Sequence, residues 1–96
     1  MIFAIEATDF DAQGSLERIR WHCVDLKDQI VHGTSEVLTV EQAVAKARGH
    51  SVHVCFQGAP GTPVMVGPVN GRMTFIDHPD TAPAQRLTAL PPIKRR

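Results

Sequence analysis

Ninety-six residues, 43% hydrophobic and 21% charged, suit one folded domain and exclude a chain too polar to build a core. The formal net charge of zero hides a split: Lys94, Arg95 and Arg96 close the chain, so residues 1–93 hold seven basic against ten acidic side chains (ten basic in all, less three). An acidic body repels phosphate backbones, which argues against a dedicated nucleic-acid binder. No stretch approaches the ~20 apolar residues of a membrane span.

Residues 2–5 (Ile-Phe-Ala-Ile) are apolar, but they lack a basic start and Glu6 ends them, so no secretory leader is expected there. Two cysteines, Cys23 and Cys55, are too few for a disulfide scaffold of this length. A cytoplasmic protein with reduced thiols is expected. Residues 1–93 are read as a single compact domain and 94–96 as a basic tail.

In chain order, residues 2–8 suit a first strand, and the turn-rich Asp9–Gly14 leads to a second over Leu16–Val24. There Ile19, Trp21 and Cys23 share one side, and Arg18, Arg20 and His22 share the other, as in a strand with one wet face. Gln29–His32 allows a short extra strand and Glu36–Leu38 a further extension. Thr39 then reads as an N-cap, with Gln42 completing a capping box. Val40, Ala43, Val44 and Ala47 form one apolar stripe before Gly49, which predicts a helix ending near that glycine. Ser51–Gln57 alternates again, and residues 58–63 read as a loop.

The next stretch, Pro63–Asp77, is the most specific in the chain. Asn70-Gly71 between two apolar runs signals a type I′ hairpin, because both central residues need positive φ. A turn over Val69–Arg72 pairs Pro68 with Met73, Gly67 with Thr74, Val66 with Phe75 and Val64 with Asp77. Val64, Val66, Pro68, Met73 and Phe75 then share a predicted core face, and Met65, Gly67, Val69, Arg72, Thr74 and Ile76 the other. Pro68 lacks an N–H on the side away from 72–77, so the outer flank of 64–69 is expected to be an edge. Leu87, Leu90 and Ile93 follow as candidates to fold back over the sheet.

Residue types that could carry chemistry are present, in poor spacing. His22 and Cys23 are adjacent on a strand and point to opposite faces, so they cannot both chelate one ion; His53 and Cys55 share a face without a CxxC or HxxxH partner. Cys55 beside His53 lacks the cation or helix N-terminus that would activate a thiol. Asp9 with Asp11, and Asp77 with Asp80 and His78, sit in turn-like segments where aspartate caps the backbone. No nucleophile elbow, phosphate loop or dinucleotide fingerprint occurs. No catalytic residue, metal or cofactor is therefore assigned.

From Val37 onward, Val-Leu-Thr-Val-Glu-Gln-Ala-Val-Ala-Lys-Ala-Arg-Gly, then a Val-rich strand, a Gly-turn hairpin, a Pro-Asp loop and Arg-Leu-Thr-Ala-Leu-Pro, the chain resembles the bacterial family named domain of unknown function 3892. The likeness covers about residues 36–93. Gln85-Arg86 stand where that family has Asp-Asn, and residues 25–35 read as an insertion. The resemblance implies a small strand-and-helix domain and no catalytic residues, since the family has no established activity.

The expected architecture is α+β: an antiparallel sheet of about five strands with one helix on one face. The expected function is a non-catalytic interaction module, self-associating or binding another protein through a face centred on Met65, Val69 and Ile76. The alternative is a nucleic-acid accessory protein using Arg18, Arg20, Lys94, Arg95 and Arg96.

Overall fold

The computed structural model describes residues 2–25 and 30–93. It contains β1 (Ile2–Phe10), β2 (Leu16–Asp25), β3 (Ile30–Thr39), α1 (Val40–Lys46), β4 (Ser51–Phe56), β5 (Ala59–Val69) and β6 (Arg72–Asp77), followed by 3-10 turns at Pro83–Gln85 and Leu87–Ala89. The fold is mixed α+β, with a sheet in the order β3-β2-β1-β4-β5-β6. Six strands replace the expected five or so, and β1 and β4 pair in parallel, so the sheet is mostly rather than wholly antiparallel. Parallel neighbours require a crossover, and β2, β3 and α1 together supply it.

Two irregularities shape the sheet. Ile5 pairs with Trp21 and Ala7 with Arg20, which leaves Glu6 as an extra residue in β1. Parallel pairing with β4 runs only from Ile2 to Ile5, and beyond the bulge the C-terminal segment takes over that flank. Thr8 N–H donates to Pro91 O, Ile93 N–H donates to Thr8 O, and Thr8 Oγ1 donates to Leu87 O. Residues 87–93 thus dock on β1 beyond the bulge.

The second irregularity is curvature. Trp21 of β2 and Phe75 of β6 are four strands apart, roughly 19 Å in a flat sheet at ~4.8 Å per strand. Their ring centroids lie 6.3 Å apart. The sheet therefore curls around its own core, and α1 lies across the opening against β2, β3 and β6. Phe3, stacked on Trp21 at 4.2 Å, joins Ile5, Ile19, Val52, Val54 and Phe75 inside.

α1 begins as read. Thr39 caps it, its hydroxyl accepting from Gln42 N–H while Gln42 Oε1 accepts from Thr39 N–H. It ends earlier than expected: the last helical residue is Lys46, Ala47 is the C-cap, and Gly49 lies beyond at φ +83°. Val40, Ala43 and Ala47 are buried and Val44 packs at the margin. Of the possible strand at Gln29–His32, position 29 lies outside the described residues and the rest belongs to one continuous β3. No helix among the described residues is long and apolar enough to cross a membrane.

Candidate interaction surface

β5 and β6 form a ribbon in the anticipated register, from Val69 opposite Arg72 to Val64 opposite Asp77. Asn70 (φ +52°) and Gly71 (φ +78°) make the turn. β4 pairs with β5 only as far as Pro63, opposite His53, so residues 64–69 have no strand on their outer flank. This is the edge that Pro68 implies. The ribbon stands out from the sheet with one flank of each strand unpaired.

Its two faces differ from the expected division. Phe75 is 3% exposed, but its cross-strand neighbour Val66 is 48% exposed, and Met73 is exposed as well. The reason is the short helix. α1 packs against β6 and reaches over Phe75, whereas Val66 on β5 and Met73 toward the turn border an open groove of about 430 Å³ with Val44, His50 and Val64. The assignment of Val66, Pro68 and Met73 to the buried face is therefore corrected.

On the opposite face Met65 pairs with Ile76, and Val69 lies toward the turn. Met65 and Val69 are exposed. Ile76 is half-buried because its side chain lies over Gly67. Leu87 and Leu90 do fold back, but against the core rather than over Met65.

A second depression, about 450 Å³, runs between β6 and the β1–β2 turn. Val69, Arg72, Thr74 and Ile76 form one wall, Phe10 and Leu16 the other. Arg72 spans its floor at one end, donating from Nη2 to Leu16 O (2.7 Å) and pairing through Nε with Glu41 (3.0 Å). At the other end Leu87 N–H donates to Asp77 Oδ1 (2.8 Å).

The strand residues of the alternative nucleic-acid surface are engaged by carboxylates. Arg18 Nη2 donates to Asp9 Oδ2 at 2.5 Å, and Arg20 Nε to Glu6 Oε1 at 3.1 Å. His22 Nδ1 lies 3.0 Å from the second oxygen of Glu6. Alternation with the core residue Ile5 sets Glu6 on the wet face of β1, and the bulge that follows brings Asp9 to the same face beside Arg18. Burial alone would raise the Glu6 carboxyl. Hydrogen bonds from Ser35 and His22, with the charges of His22 and Arg20, outweigh it and hold the group below its usual range. Lys94, Arg95 and Arg96 lie outside the described residues.

The other chemical candidates hold structure together. His53 Nδ1 is 2.8 Å from Gly61 O. Asp11 Oδ1 accepts from Gln13 and Ser15 N–H, closing the β1–β2 turn. Asp9 accepts from Ile93 N–H as well as from Arg18. Burial and the nearby Glu6 charge push the Cys55 thiol up, against a hydrogen bond from the Gly58 backbone, so it is a poor nucleophile at neutral pH. Among the described residues, no group of three or more His, Cys, Asp or Glu side chains is placed to hold a metal ion.

The chain matches no protein-family model, no curated protein and no solved structure.

Proposed function

We propose that this chain is a small non-catalytic interaction module whose contact surface is the β5–β6 ribbon, with a second copy of the chain as its first partner. One observation carries the reading. Among the described residues six large hydrophobic side chains are exposed, and four of them, Met65, Val66, Val69 and Met73, lie on this ribbon. Apolar side chains gathered on one projecting element mark contact sites, whereas singly scattered ones need no explanation. Two faces apolar at once fit a ribbon enclosed from both sides in an assembly. The engagement of Asp9, Asp11, Glu6, Asp77 and His53 in structural hydrogen bonds supports a module without a reaction of its own.

Sedimentation velocity of the wild type and of Met65→Lys, over a wide range of concentration, tests this. The expected result is a concentration-dependent dimer that the lysine abolishes without changing the melting temperature. A wild type that stays monomeric at every concentration overturns self-association.

A further inference from the structure

We propose that the outer edge of β6 is a strand-addition site, taking an extended peptide segment that is apolar with interspersed basic residues. The inference deepens the reading of the chain as an interaction module and rests on it. It concerns the groove between β6 and the β1–β2 turn, which shares only Val69 with the exposed apolar residues of the ribbon.

The backbone supplies the first reason. In a hairpin closed by a two-residue turn, the flanking pair Val69–Arg72 exchanges hydrogen bonds, and such pairs alternate along the ladder. Residues 72, 74 and 76 therefore turn their N–H and C=O groups toward β5, and residues 73, 75 and 77 turn theirs outward. β6 is the last strand of the sheet. Among the described residues, no hydrogen bond is formed by the backbone of Met73, Phe75 or Asp77 on that side. An edge of this kind is the template that β-augmentation uses, with main-chain bonds giving affinity and alternate side-chain pockets giving selectivity.

Shape supplies the second reason. The groove is bordered by β6 but, of β5, only by Val69, so it lies beside the edge rather than over the ribbon. Its far wall is the β1–β2 turn, anchored by Asp11. The space between these walls, about 450 Å³, is where an added strand would lie. A second copy's β6 would bring its own β5 behind it and meet the turn, so a free segment is the better occupant. Six residues of β6 span about 20 Å, enough to pair a short peptide.

Chemistry supplies the third. Phe10, Leu16, Val69 and Ile76 offer apolar contacts, and Asp11 and Asp77 each keep a second carboxylate oxygen beyond the one that accepts from the backbone. The groove's one cation, Arg72, is already paired with Glu41. The balance favours a basic ligand. Thr74, 8% exposed, lines the same wall, and its Oγ1 has no hydrogen-bond partner among the described residues.

The test uses a capped peptide of alternating valine and lysine, its counterpart N-methylated at every valine, and its valine–glutamate counterpart, titrated into the full chain and followed by backbone amide shifts. Working at concentrations where sedimentation shows a monomer separates this result from self-association. The expected outcome is saturable shifts at Met73, Phe75, Asp77 and Phe10–Leu16, lost with the N-methylated peptide and several-fold weaker with the glutamate peptide. Asp11→Asn with Asp77→Asn keeps both backbone acceptors and should erase the preference for lysine while leaving the fold intact. Absence of shifts along β6, equal binding of the N-methylated peptide, or shifts confined to Met65 and Val66 overturns the proposal.

Discussion

The side chain of Ile76 lies over Gly67, so that a Cβ placed at residue 67 would stand 2.9 Å from Ile76 Cδ1. The atom in the way is the end of a flexible side chain, and Gly67 has no positive φ to preserve. Gly67→Ala should therefore change stability by less than about 1 kcal/mol, because rotation of Ile76 relieves the contact and alanine favours the strand. Gly61 is the contrasting case. A Cβ there would meet Gln85 Oε1 at 2.5 Å and the Val54 carbonyl oxygen at 3.0 Å. Gln85 Oε1 already accepts from Thr62 N–H and Oγ1. Gly61→Ala should cost roughly 1–3 kcal/mol in urea unfolding, because backbone must shift. Equal effects at the two glycines would contradict this packing.

Phe75 and Val66 are cross-strand neighbours with opposite environments. Phe75 touches the Trp21 cluster, so Phe75→Ala should cost roughly 3–5 kcal/mol. Val66→Ala removes methyl groups that water already reaches, and should cost under about 1 kcal/mol in the monomer. If both substitutions destabilised alike at concentrations too low for association, α1 would have to cover more of the ribbon than it does here.

Much of this architecture is legible in local chemistry, and what escapes reading has specific causes. Among the described residues, two tight two-residue hairpin turns occur. Asn70-Gly71 is readable because asparagine tolerates positive φ; Gln57-Gly58 adopts φ +52° and +79° as well, yet glutamine carries no such signature, and residues 59–63 consequently read as loop instead of strand. The Thr39 capping box is a pattern of two side chains and was readable, whereas the helix end depends on where Ala47 and the turn to β4 pack. The bulge at Glu6 is invisible in alternation because it inserts one residue whose polarity fits either face. The extra residue shifts the facing of everything after it and sets Asp9 beside Arg18, so the neutralised wet face does not follow from reading strands one at a time. Met65, Val69 and Ile76 were readable as a shared face because register fixes it.

Glu6 also sets an expectation for acid stability. Its carboxyl titrates below the usual 4.5 in the folded chain. The unfolded state then binds more protons in that range, so the Glu6 contribution is fully present above about pH 4.5 and is lost as pH falls through the lower folded value. Glu36 shifts in the same direction, through Lys46 (2.6 Å) and Trp21 Nε1 (2.9 Å), but sits at the surface and counts for less. Glu6→Gln should lower stability at neutral pH and flatten the loss between pH 5 and pH 3, in urea unfolding at a series of pH values, on the scale of about 1 kcal/mol. An unchanged slope would mean that Glu6 is not held by Arg20, His22 and Ser35 in solution.

Cys55 allows the absence of thiol chemistry to be measured directly. Burial raises its thiol above the ordinary value of 9.0, the Glu6 charge adds to this, and the hydrogen bond from the Gly58 backbone only partly offsets them. The thiolate is the reactive form, so a raised pKa lowers its fraction at every pH below that value. Cys23 lies on the core-facing row of β2, and Cys23→Ala leaves Cys55 as the single thiol. In that background, alkylation by iodoacetamide at pH 8 should be slower than that of N-acetylcysteine, and should recover when urea unfolds the chain. Adding Glu6→Gln should raise the folded rate only in part, because burial is the larger cause. A folded rate above that of the free thiol would mean that a cation faces Cys55, and would reopen the case for a nucleophile beside His53.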